Sequence, residues 1–169
     1  GIGFWVAITE GGSSRAHVGR AARGLAVLSE RTIPPPIAPP AGIPWSSDRM
    51  LLAYPTRQSD TAEIVGVTMS AEPDDRSREA FRIPVSDSIR IIEGVQLLET
   101  AEGVWLGWIE RRDAGTYARG VRIDEGDEEM SPLSDRAIGE HFVGVGAPRT
   151  ELASVAGEPV VVNQTEDGG

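Results

Sequence analysis

Three short apolar runs recur along the chain, Phe4-Trp5-Val6-Ala7-Ile8-Thr9, Leu51-Leu52-Ala53-Tyr54-Pro55-Thr56 and Trp105-Leu106-Gly107-Trp108-Ile109-Glu110, each closing on a polar residue. Shifts of 47 (51 − 4) and 54 (105 − 51) superpose them, and the same shifts bring Gly19, Gly66 and Gly120 into register without a gap. Around each glycine lies a second apolar run, "AHVGRAA", "AEIVGVTM" and "YARGVRI", and between the two runs stand turn formers, "EGGSSR", "RQSDT" and "RRDAGT". Two short runs separated by such residues predict a β-hairpin.

A third marker follows each hairpin, Val27-Leu28-Ser29-Glu30, Pro84-Val85-Ser86-Asp87 and Pro132-Leu133-Ser134-Asp135. Ahead of the later hairpins run "GVQLLET" and "ELASVAG", joined to the next strand by the glycine turns "AEG" and "AGE". The repeating unit is therefore about four strands in about 50 residues, the signature of a β-propeller blade. The predicted fold is all-β, four-stranded antiparallel blade repeats forming a partial β-propeller, with a β-sandwich of successive hairpins as the alternative. The units run over 1–33, 43–87, 94–135 and 140–169, the first and last incomplete. No segment carries helical periodicity; "SDRAIGEHF" comes nearest.

Proline at 34, 35, 36, 39 and 40 makes 34–42 a stiff, extended connector between the first two units, since each ring fixes φ and removes a backbone donor. The shift that lays Thr165 on Thr9 puts the last residues inside a hairpin turn, and Gly3 sits like Gly103, immediately before a strand. The expectation is a piece of a larger assembly, in which another protein chain supplies the missing strands and completes the sheet or propeller.

The apolar strand, the "ERRDAGTY" turn, "YARGVRIDEG" and the "PLSD" tail together resemble the secreted repeat proteins of myxobacteria and related bacteria, read as β-propellers. Gly94 to Asp135 matches best; the second unit carries Glu63 where the third has Tyr117, and the first is the most divergent. The resemblance implies an extracellular or periplasmic bacterial protein and brings no catalytic residues with it.

A formal charge of −10 opposes binding to nucleic acid or to an anionic membrane, because no basic patch is available to neutralise phosphate. No apolar stretch approaches the length of a membrane span. Every cation is Arg, and Cys is absent, so disulfides and thiolate chemistry are excluded.

The acidic run Asp124-Glu125-Gly126-Asp127-Glu128-Glu129 offers hard oxygen ligands, and Asp124, Asp127 and Glu129 are the calcium candidates. It lacks the D-x-D-x-D-G spacing that gathers carboxylates on one ion, and it falls where the repeat demands a solvated turn, so no cofactor is expected. His17 and His141 stand in no ligand motif, and no G-x-S-x-G nucleophile is present. Glycosidase chemistry needs two convergent carboxylates, and Glu99, Glu110 and Asp113 are the residues whose convergence a structure tests.

Strand alternation puts Trp105 and Trp108 on opposite faces, one in the core and the other packed between blades or on a contact surface; with Tyr117 they are the interaction candidates. The expected function is a non-enzymatic structural or assembly component. The alternatives are a module that binds protein or glycan, and a hydrolase with a carboxylate-lined propeller mouth.

Overall fold

Period-2 apolar patterning produces strands wherever it occurs, and turn residues set where each strand stops. The computed structural model describes residues 2–8, 14–21, 25–46, 48–58, 61–70, 77–85, 89–101, 103–123, 139–144, 149–156 and 158–164. β1 (Ile2–Ile8), β2 (Ser14–Ala21) and β3 (Leu25–Ile33) form one sheet in that order. β4 (Ala41–Pro44), β5 (Arg49–Gln58), β6 (Thr61–Ser70) and β7 (Arg78–Pro84) form a second. β8 (Ile89–Thr100), β9 (Gly103–Arg112), β10 (Gly115–Ile123) and β11 (Gly139–Gly144) form a third, and β12 (Arg149–Val155) pairs with β13 (Glu158–Gln164) as a hairpin. Every pairing is antiparallel, and no helix occurs among the described residues.

The unit boundaries differ from those expected at three places, one of them the start of β8 at Ile89 rather than at 94. β4 begins inside the 34–42 connector, because Ala41 and Gly42 follow the last proline of the run and pair with Ala53 and Leu52. The third sheet does not end at Asp135: β11 is its fourth strand, so residues 140–144 belong to it rather than to the last unit. Cross-strand chemistry explains the assignment, since β11 sets Phe142 against Tyr117 and Glu140 against Arg119. The end of "SDRAIGEHF", Gly139–Phe142, is likewise strand.

The sheets pack face to face in chain order. Ala16 and Ile33 of the first sheet meet Met50, Leu52, Tyr54, Val65, Val67 and Met69 on one face of the second. The other face of the second presents Leu51, Ala53, Ala62, Ile64, Phe81 and Ile83 to Val95, Leu97, Leu106, Trp108, Val121 and Ile123 of the third. β12 lies against β8 and β9 on the far face of the third, where Leu152 reaches the backbone of Gly107. Successive layers of this kind replace the two-layer sandwich. Residues 51 and 53 thus face forward along the stack and 52 and 54 backward, and the third sheet repeats this with Trp105 and Gly107 forward, Leu106 and Trp108 backward.

Turn chemistry follows the glycines. Gly103 (φ 121°) and Gly115 (φ 142°) close the β8–β9 and β9–β10 hairpins in conformations open to residues without a Cβ. A Cβ at Gly115 would also stand 2.5 Å from the Gly144 carbonyl oxygen and 2.7 Å from the Phe142 ring. Gly115→Ala is therefore expected to lower stability by about 1–3 kcal/mol in urea unfolding, with β11 affected first.

Candidate functional site

The third sheet carries polar chemistry on one face and an apolar cavity on the other. Alternation along β9 sets Trp108, Glu110 and Arg112 on the face turned toward the second sheet. Register then adds Arg119 beside Trp108, Tyr117 beside Glu110, and from β11 Glu140 and Phe142 beside Arg119 and Tyr117.

These residues form one network. The Trp108 indole Nε1–H donates to Glu110 Oε1 at 2.6 Å, and Arg112 donates to Glu110 Oε2 from Nε at 3.0 Å and from Nη2 at 2.5 Å. Arg112 Nη2 also reaches Glu140 Oε2 at 2.8 Å, and Arg119 Nη1 donates to the same carboxylate. Arg112 Cζ sits 4.4 Å above the centre of the Tyr117 ring, which meets Phe142 edge-on at 5.3 Å. Two carboxylates balance two guanidiniums, and the network ties β9, β10 and β11 together.

Glu110 is 1 % exposed, so this carboxylate is closed to solvent and to substrate. Burial works to lower the Arg112 pKa, but its bonds to Glu110 and then to Glu140 outweigh that and raise it. Burial likewise works to raise the Glu140 pKa, but hydrogen bonds from Arg119 and Arg112 outweigh it and hold the carboxyl below its ordinary 4.5. A depressed folded-state pKa contributes stability above the unfolded value that is lost as pH falls through the folded value. The Glu140 side chain is 38 % exposed, so solvent screens the effect and it is small. Glu140→Gln is expected to flatten slightly the loss of urea midpoint below about pH 4.5, with little change near neutrality.

On the opposite face lies a cavity of about 250 Å³ between the third sheet and the β12–β13 hairpin. Its floor is Gly107, Gly120 and Gly139, which stand in one transverse row of the sheet because Gly120 pairs with Gly107 on one side and Gly139 on the other. Trp105 and Leu98 form one wall, Ala118 and His141 another, and Pro159 and Val161 line the hairpin side.

No protein family, curated protein or solved structure matches this chain. What the site can do therefore rests on its own residues.

Of the interaction candidates, Trp108 and Tyr117 lie in the ionic network and Trp105 lines the cavity. Glu99 and Glu110 sit toward opposite ends of the β8–β9 hairpin, Glu99 beside Val104 and Glu110 beside Ile92, and Asp113 is in the exposed β9–β10 turn, so the three do not converge. Asp124, Asp127 and Glu129 lie outside the described residues, and no cluster of three potential metal ligands occurs among the described ones. His17 is a β2 residue near Glu30, with 3.4 Å between Nδ1 and Oε2. No described helix is long and apolar enough to cross a membrane. Sequence reasoning missed Arg112 and Glu140. The i, i+2 spacing of Glu110 and Arg112 within one strand was the available signal for the first.

Proposed function

We propose that this chain is a non-enzymatic structural or assembly component, a β-propeller-like module of a larger secreted protein or complex. One observation carries the reading: two large apolar side chains stand exposed on the outer face of the β12–β13 hairpin. Leu152 and its register partner Val161 face the third sheet, so Val155, Val160 and Val162 face the other way, with Val155 57 % and Val162 48 % exposed. Val160 occupies the place of Leu51 and Trp105 under the shift that lays Thr165 on Thr9. In the second sheet that forward face is buried by the next layer, with Leu51 and Ala53 both at 0 % exposure. A strand apolar on both faces is one that is covered on both faces. The partner proposed for this face is another β-layer.

The cavity does not favour a hydrolase, because its described lining holds one acidic residue, Glu140, already bound to two arginines.

The test is light scattering with intact mass spectrometry on the purified native species. The expected result is a second polypeptide in fixed ratio, lost in the double variant Val155→Glu/Val162→Glu while the thermal midpoint of the isolated chain stays within about 2 °C. A lone species at the 18.0 kDa of one chain, unchanged by those substitutions, defeats the reading.

A further inference from the structure

Glycine inside a strand weakens it, through backbone entropy and the loss of a side chain to pack, and is explained where something approaches the backbone closely. Three of the glycines in these sheets have such an explanation. Gly66 lies under the Phe81 ring and beside a register shift, and Gly19 also borders a register shift. Gly107 lies under Leu152, whose Cδ1 would be 2.6 Å from a Cβ built there.

Gly120 and Gly139 differ. They pair directly with each other in regular register, clear of the irregularity at Thr116/Tyr117. Neither has a positive φ, and a Cβ at either would make contacts no closer than 3.5 Å, ordinary van der Waals distance. A Cβ at Gly120 would touch the Trp105 ring at 3.5 Å, and beyond that ring the two glycines form the floor of the cavity.

We propose that this cavity binds a small planar aromatic ligand, lying on the peptide planes of Gly120 and Gly139 with one edge against the Trp105 indole. Its volume of about 250 Å³ exceeds the roughly 150 Å³ of an apolar protein cavity that accepts benzene. The lining is mostly apolar, which suits an aromatic ring and lacks the many hydrogen-bonding groups a sugar requires. His141, in the lining and exposed, supplies a hydrogen bond for one polar substituent at the rim. Leu152 over Gly107 already demonstrates, one strand away, how an apolar group seats in this row.

The experiment is saturation-transfer NMR with indole as the probe on the full chain, beside Gly120→Val, Gly139→Ala and Trp105→Leu. The wild-type protein transfers saturation to indole. Gly120→Val, whose added methyls occupy the floor, keeps its thermal midpoint and binds about tenfold more weakly or worse, a loss of about 1.4 kcal/mol. Gly139→Ala and Trp105→Leu weaken binding in the same direction. Absence of transfer in the folded wild-type protein overturns the proposal, as does transfer that Gly120→Val leaves unchanged. A third outcome separates this site from the assembly reading: if indole never binds but Gly120→Val releases a partner chain, the notch receives a partner side chain. The ligand is then wrong and the assembly stands.

Discussion

Glu110→Ala is expected to lower the stability of the fold by about 3–5 kcal/mol, among the largest effects of any single substitution in this chain. The carboxylate is almost fully buried and accepts hydrogen bonds from both the Trp108 indole and Arg112. Its removal strands an indole N–H and leaves half of the Arg112 fork without a partner, and a stranded buried donor carries its full desolvation penalty. Arg112 then has only Glu140 and the Tyr117 ring, at the more exposed end of the network. Desolvation makes the pair a weak source of net stability even though breaking it is costly, so Glu110→Leu/Arg112→Leu should recover much of the loss. Urea unfolding of the two singles and the double decides this. If Glu110→Ala falls within about 0.5 kcal/mol of wild type, the network is decoration on an apolar core and β11 is held by its backbone ladder alone.

That network also marks the limit of what the sequence reveals. Hairpins were legible because their signals are local: Arg112 and Gly115 bracket a two-residue turn, Thr100 and Gly103 another, and residues within a few positions of each turn determine it. The facing of the layers was legible because a strand alternates strictly, so superposing Leu51 on Trp105 also superposes Ala53 on Gly107 and Tyr54 on Trp108. Trp105 and Trp108 accordingly stand on opposite faces of the third sheet. The fourth strand of that sheet was not legible. β11 returns to β10 after residues 124–138, and no turn motif fixes a pairing across a connection of that length. Glu140 therefore looked like the start of a new unit, although the charges it balances, Arg112 and Arg119, were in plain view on the preceding strands. Glu110 illustrates a related gap: it lies on the face of β9 that carries Leu106 and Trp108 against the second sheet, and that facing is set by residues far away in sequence.

Gly66→Val is expected to cost about 3–5 kcal/mol, whereas Gly120→Val at the equivalent repeat position leaves stability within about 0.5 kcal/mol of wild type. The register that superposes the two glycines says nothing of this difference; the neighbours decide it. At Gly66 the Phe81 ring occupies the space a Cβ would take, and Phe81 is itself 3 % exposed in the layer between the second and third sheets. A valine there must drive the ring out of a packed interior, combining the strain of overpacking with the loss of a buried aromatic. Because both penalties act through one ring, Gly66→Val/Phe81→Ala should destabilise by clearly less than the two singles added together. At Gly120 the added side chain enters the cavity and gains strand propensity in place of glycine. Equal losses at the two positions would mean that glycine serves one backbone role in every repeat, and Gly120 would then offer no support for a ligand on the cavity floor. Unequal losses mean that the repeat supplies the same notch twice and that its own chain fills only the first.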